Sequence, residues 1–302
     1  MDTVLRTVGL SKRYGALAAL EGLTLEVGRG EVLGYLGPNG AGKTTTIRLL
    51  LGLIAPTAGR AEAFGLDVAH HQADVHARLA YVPGEATLWP SLTGAETLHL
   101  LARIHGATDL AYREALQRRF DFDGSKKVRA YSKGNRQKIN LIAAFATRAD
   151  LLVLDEPTSG LDPLMEQAFR QCVIEARDNG QTVFLSSHIL DEVEALCDRV
   201  AILRAGRLVE IGTLAQMRHL SALTVAATFP GDPPDVTGVA GVSGVRVVGR
   251  QLTCQVSGPV DGLLGVLASA HPTVLLSREP SLEELFLSLY GDSAAGAAEM
   301  TP

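Results

Sequence analysis

Gly37-Pro38-Asn39-Gly40-Ala41-Gly42-Lys43-Thr44 fits the pattern G-x-x-x-x-G-K-[ST], set between the apolar run EVLGYL and a helix-like series. The glycines leave backbone N–H groups free to turn inward around a phosphate chain, and the helix N-terminus adds partial positive charge. Lys43 is placed to reach β- and γ-phosphates, Thr44 to ligate Mg²⁺, and Thr45 to follow in the first helical turn. A phosphate loop on its own does not separate an ATPase from a GTPase or a small-molecule kinase.

Working outward, residues 2–35 alternate short apolar runs with turn signals, which predicts an antiparallel β-layer whose last strand feeds the loop. After it, Ile47, Leu49, Leu50 and Leu51 predict a helix from Lys43 to about Leu53, closed by Pro56, Thr57 and Gly59. Leu92 to about Arg119 is helix-like, broken near Gly106 to Asp109. Leu151-Leu152-Val153-Leu154 reads as a buried parallel strand that delivers Asp155 and Glu156 to the edge where ligands bind in such sheets. There Asp155 is suited to hold Mg²⁺ through water, and Glu156 to orient the water that attacks a γ-phosphate. A second such strand, Thr182 to Leu185, ends in Ser186-Ser187-His188.

Tyr131-Ser132-Lys133-Gly134-Asn135-Arg136-Gln137-Lys138 stands before the Asp-Glu strand and opens a long helix through Ala146. This stretch resembles the signature motif of the ABC transporter ATPases. Pro157-Thr158-Ser159-Gly160-Leu161-Asp162-Pro163 resembles that family's D-loop, and His188 its switch histidine; the resemblance spans about 3–212. It implies an α/β fold: a P-loop NTPase core with an antiparallel β-subdomain and a helical subdomain. It also implies ATP and Mg²⁺ as ligands and a homodimer or pseudo-dimer, with ATP sandwiched between one subunit's phosphate loop and the other's Ser132 and Gly134. Asp162 then communicates across the seam, His188 supports the water on Glu156, and Tyr14, in Ser-Lys-Arg-Tyr-Gly, stacks adenine. A membrane-spanning partner is expected to dock near residues 84–105.

Two departures stand out. Tyr81-Val82-Pro83 is followed by Gly84 and Glu85 where the family usually has Gln, so Glu85 is expected to substitute near Mg²⁺ and the partner, an acid being a competent ligand for a hard cation. Lys133 and Asn135 replace the commoner Gly and Gln, which implies altered tuning with the phosphate contacts of Ser132 and Gly134 kept.

Past about Gly212 the character changes. LTVAATF, VRVVG and QLTCQVS resemble strands, PVDGLLGVLASA and SLEELFLSLY resemble helices, and the segment 213–291 reads as a small α+β domain, followed by an Ala- and Gly-rich tail over 292–302. Glu279-Pro280-Ser281-Leu282-Glu283-Glu284-Leu285-Phe286-Leu287 resembles the C-terminal piece of drug and antibiotic efflux ATPases, and it is equally an amphipathic helix with Ser281 as N-cap. Export of a drug, antibiotic or lipid-like cargo is the leading expectation, with an importer ATPase as its rival.

The bulk numbers fit this reading. At 302 residues, 46% of them hydrophobic, the chain holds one sizeable domain plus a smaller one. A net charge of −5 argues against a nucleic-acid surface, and with it against ABC-type ATPases that act on ribosomes or DNA. The 6 Lys against 22 Arg suggest a GC-rich bacterial genome. Cys172, Cys197 and Cys254 lack paired spacing, so reduced thiols are expected. Neither a signal-peptide core nor a run of ~20 apolar residues occurs, so a peripheral position on the cytoplasmic face of the membrane is expected.

Overall fold

In the computed structural model, residues 2–106, 108–219, 223–278 and 282–284 are described. The chain divides into two units, Met1–Ile211 and Gly212–Pro302.

The first unit begins with β1 (Thr3–Tyr14) and β2 (Leu17–Gly28), an antiparallel pair, then β3 (Val32–Leu36), the phosphate loop and α1 (Lys43–Leu50). Next come β4 (Ala58–Ala63), β5 (Leu66–Asp67), α2 (Gln72–His76) and β6 (Leu79–Val82). Two helices follow, α3 (Gly94–His105) and α4 (Leu110–Arg119), before α5 (Lys133–Ala146), β7 (Leu151–Asp155) and α6 (Pro163–Asp178). The unit closes with β8 (Thr182–Ser187), α7 (Leu190–Leu196), β9 (Arg199–Arg204) and β10 (Arg207–Gly212).

The expected antiparallel layer exists, but β3 is not its last strand. The layer runs β2-β1-β4-β5, while β3 lies in a second, six-stranded sheet of order β10-β9-β3-β8-β7-β6. Val32-Leu33-Gly34-Tyr35-Leu36 is buried at every position, as a central parallel strand covered on both faces must be, whereas β1 and β2 mix buried positions with half-buried and exposed ones. Helix α1 stops at Leu50, short of Leu53, because Gly52 takes φ 65° and turns the chain. The break between α3 and α4 falls where expected: α3 opens on a capping box of Thr93 and Glu96 and ends at Gly106 with φ 83°, and Asp109 caps α4.

Parallel pairing sets β3 beside β8 and β8 beside β7. The segments leaving their C-terminal ends, 37–42, 156–162 and 188–189, therefore emerge at one edge of the sheet, the usual place for a ligand in an open α/β sheet.

The second unit contains α8 (Leu214–His219), β11 (Leu223–Thr228), β12 (Val242–Val248), β13 (Gln251–Val256), α9 (Asp261–Ser269) and β14 (Val274–Arg278). Its sheet, β12-β13-β11-β14, is antiparallel, and Val225, Leu252, Cys254 and Val256 pack with Leu263 and Leu267 of α9. The short α8 and the edge strand β14 have no counterpart in the sequence reading. Of the expected C-terminal helix only 282–284 are described, and they are helical; the remainder and the tail lie outside the described residues. The three cysteines are free thiols.

Candidate functional site

The phosphate loop is a nest whose shape depends on two left-handed glycines, Gly40 at φ 81° and Gly42 at φ 108°. A side chain at Gly42 would also meet the Ala19 carbonyl at 2.5 Å. Inside the loop the Lys43 ammonium donates to the carbonyls of Gly37, 2.7 Å away, and Pro38, 3.3 Å away. It lies 3.5 Å from Oε1 of Glu156. Tyr14, Pro38, Asn39, Gly40, Gly42, Lys43, Thr44, Thr45 and Glu156 line one cleft of about 510 Å³, and Gly37 and Ala41 are not among its lining residues. Tyr14, the last residue of β1, is 46% exposed.

Beneath the cleft, Asp155 is 4% exposed. Its Oδ1 accepts from Ser186 Oγ at 2.5 Å and its Oδ2 from Thr44 Oγ1 at 3.3 Å. Burial holds this carboxyl above the usual aspartate range, against the hydrogen bond from Ser186, and the neighbouring Glu156 pushes the same way. Glu156 adopts a left-handed φ of 45°, a strained conformation for a side-chain-bearing residue, with its N–H held by the Ser186 carbonyl at 3.0 Å. That twist turns Glu156 out of the β7 line to face both Lys43 and His188, whose Nδ1 is 3.4 Å from the same Oε1.

Ser132, Gly134 and Asp162 sit elsewhere. They line a separate cavity of about 430 Å³ with Asn135, Lys138 and Gly160, and no residue is common to the two cavities. Ser132 caps α5, its Oγ accepting from Asn135 N–H at 3.3 Å, and Asp162 caps α6 by accepting from the N–H groups of Leu164 and Met165, both at 3.1 Å. Gly134 must be glycine: a Cβ there would lie 2.2 Å from the Gly160 carbonyl oxygen. Lys133 donates to Ser159 Oγ at 2.7 Å, which ties the signature turn to the D-loop segment. Glu85 is exposed and lines neither cavity.

Chain-wide comparison decides the family. A protein named daunorubicin resistance ATP-binding protein DrrA3, from Streptomyces coeruleorubidus, is 37% identical over 96% of this chain and 97% of its own length. Residues 20–159 match the ABC transporter family.

The chain belongs to the ABC transporter ATPases.

The linearmycin resistance ATP-binding protein LnrL of Bacillus subtilis is 32% identical over 95% of this ABC ATPase and 98% of its own chain. Among solved structures, an ATP-binding subunit of an ABC transporter superposes with a TM-score of 0.67 at 36% identity, covering 71% of this chain and 92% of that one. This subunit binds and hydrolyses ATP, as its family does.

Three parts of the site escaped the sequence reading. Ala205-Gly206, a two-residue β9–β10 hairpin with both residues at positive φ, lines the phosphate-loop cleft and holds it by Gly206 N–H to Ala41 O at 2.9 Å. Its signal is an Ala-Gly pair between two apolar runs, weak because many such pairs are mere turns. Gln137, 1% exposed, donates from Nε2 to the carbonyls of Pro83 and Pro157, both at 3.2 Å, so one amide joins the segments after β6 and β7. Ser186, which supports both acids, carried no distinguishing pattern.

Proposed function

We propose that this ABC ATPase drives export of a drug, antibiotic or lipid-like cargo through a separate membrane-spanning partner, with two copies closing around two ATP molecules. The observation that carries the two-copy reading is the split of the site into two cavities on one chain. An ATP seated on one subunit's phosphate loop needs the α5 N-terminus of a second subunit, at Ser132 and Gly134, to meet its γ-phosphate. Export is supported by relatives named for daunorubicin and linearmycin resistance that match both units of the chain.

In this reading Tyr14 stacks the adenine, and Lys43 exchanges the Gly37 and Pro38 carbonyls for the β- and γ-phosphates. Glu156 orients a water, accepts its proton as the water oxygen bonds to the γ-phosphorus, and ADP leaves as the bridging bond breaks. His188, beside Glu156, donates to the γ-phosphate and keeps that water aligned.

Mg²⁺ fits the residues present. Among the described residues no group of three or more His, Cys, Asp or Glu could hold a metal. Thr44 and Asp155 offer hard oxygens 3.3 Å apart, matching a cation that prefers one or two protein ligands, water and substrate phosphates. They would hold it, and it would neutralise charge on the phosphate oxygens. Glu85, off the cleft, reaches the cation only if closure carries its segment inward, so contact with the partner is its first role.

Docking near 84–105 is supported by an apolar groove of about 560 Å³ whose lining includes Leu53, Tyr81, Leu101 and Ile104, with Leu53 59% and Ile104 66% exposed. Among the described residues no helix is long and apolar enough to cross a membrane, which fits a peripheral subunit at the cytoplasmic face. Purification from native membranes in mild detergent should bring down a multi-span protein; recovery of ribosomes in its place would overturn this reading.

A further inference from the structure

Helix α7 buries a carboxylate that nothing above uses. Glu192 is 2% exposed, four residues after the switch histidine. Its Oε2 accepts from Ser187 Oγ at 2.6 Å, and Ser187 Oγ in turn accepts from Ile189 N–H at 3.0 Å. These two bonds bracket His188 on both sides, fixing the turn from which its ring reaches Glu156. The other oxygen, Oε1, is buried with no hydrogen-bond partner of ordinary geometry among the described residues.

Arg170 and Glu166 of α6 are the charged neighbours of the Glu192 carboxyl. Burial holds it above the usual glutamate range, against the bond from Ser187. An apolar residue at this place in α7 would avoid the cost of a half-satisfied buried acid. Packing alone therefore does not account for it.

We infer that Glu192 is a positioning residue for ATP hydrolysis: through Ser187 it sets the switch turn that aims His188 at Glu156. The inference rests on the role given to His188 above. It separates from that role because Glu192 touches neither cleft.

Steady-state ATP hydrolysis by the full-length chain, assembled with its membrane partner, tests it. Glu192→Ala and Ser187→Ala should each lower kcat about tenfold while KM for ATP stays within about twofold, the pattern of a lost alignment and not of lost binding. Glu192→Gln should recover most of that loss, since its amide oxygen still accepts from Ser187. In a His188→Ala background, Glu192→Ala should cost nothing further, because the residue it acts through is gone. An additive loss in that background, a joint rise in KM, or no recovery with glutamine would overturn the inference. Full kcat in His188→Ala alone would instead overturn the role assigned to His188. Melting temperatures of Glu192→Gln and wild type should agree, which guards against misfolding as the cause.

Discussion

The two cavities of the ATP-binding unit are built by different means. The phosphate-loop cleft depends on backbone geometry: left-handed Gly40 and Gly42, the strained Glu156 and the Ala205-Gly206 hairpin hold N–H groups and acids in place before a ligand arrives. The signature cavity depends on two helix starts, α5 and α6, capped by Ser132 and Asp162 and pinned together by the Gly134–Gly160 approach and the Lys133–Ser159 bond. The first carries the phosphate loop with Lys43 and Glu156; the second is lined by the two helix starts together with Asp121, Asp123, Lys126 and Lys138. In the proposed reading, chemistry belongs to one face and assembly to the other, and a second copy completes each site.

The largest expected effect falls on the chemical face. Glu156→Gln keeps the shape of the side chain and removes the proton acceptor, so kcat should fall about 1000-fold with ATP binding retained. The variant should then accumulate as an ATP-dependent dimer on size-exclusion chromatography. A variant that hydrolyses normally would remove Glu156 from the chemistry.

A mixing experiment addresses the division itself. Lys43→Ala disables the cleft, and Ser132→Arg blocks the signature face at an exposed position. Each variant alone should be nearly inactive. Mixed, random pairing yields dimers with one intact composite site, and turnover should recover to roughly a quarter of wild type. Turnover no greater than the sum of the separate variants would mean that each chain carries its whole site.

How legible these faces were in the sequence follows the same division. The phosphate loop, Asp155-Glu156 and the capped α5 announce themselves because the chemistry demands particular residue types at fixed spacing beside apolar strands. The β3 assignment failed because a five-residue apolar run has no alternation to reveal that both its faces are covered; only its partners β8 and β9 show that. Gln137 and Ser186 were illegible for a related reason. Their roles come from carbonyls and carboxylates brought together from distant segments, and no local pattern encodes that meeting.

Asp155 separates function from stability on the chemical face. Its carboxyl is held above the ordinary aspartate range, chiefly by burial. The folded state thus binds a proton more readily than the unfolded chain, and this group favours folding at low pH. That contribution is lost as pH climbs from the ordinary aspartate value through the raised one. Asp155→Asn keeps an oxygen for Ser186 without the charge, so at neutral pH its melting temperature should match or exceed wild type and be flat across that window. Hydrolysis should nonetheless collapse. A melting temperature well below wild type would show that the charge itself stabilises the fold.

The smallest effect is expected at Glu85, which belongs to neither face. It is exposed and outside the cleft, and in the proposed reading it meets the membrane partner before it meets Mg²⁺. Glu85→Ala should therefore leave turnover of the isolated chain within about twofold of wild type, as is usual for an exposed position. The same change should weaken the stimulation that the assembled partner gives. Titration of Mg²⁺ decides the alternative: if Glu85→Ala shifts the half-saturating concentration upward in the isolated chain, the acid is a cation ligand. The segment after β6 would then be part of the chemical face, not only a link from it to the membrane.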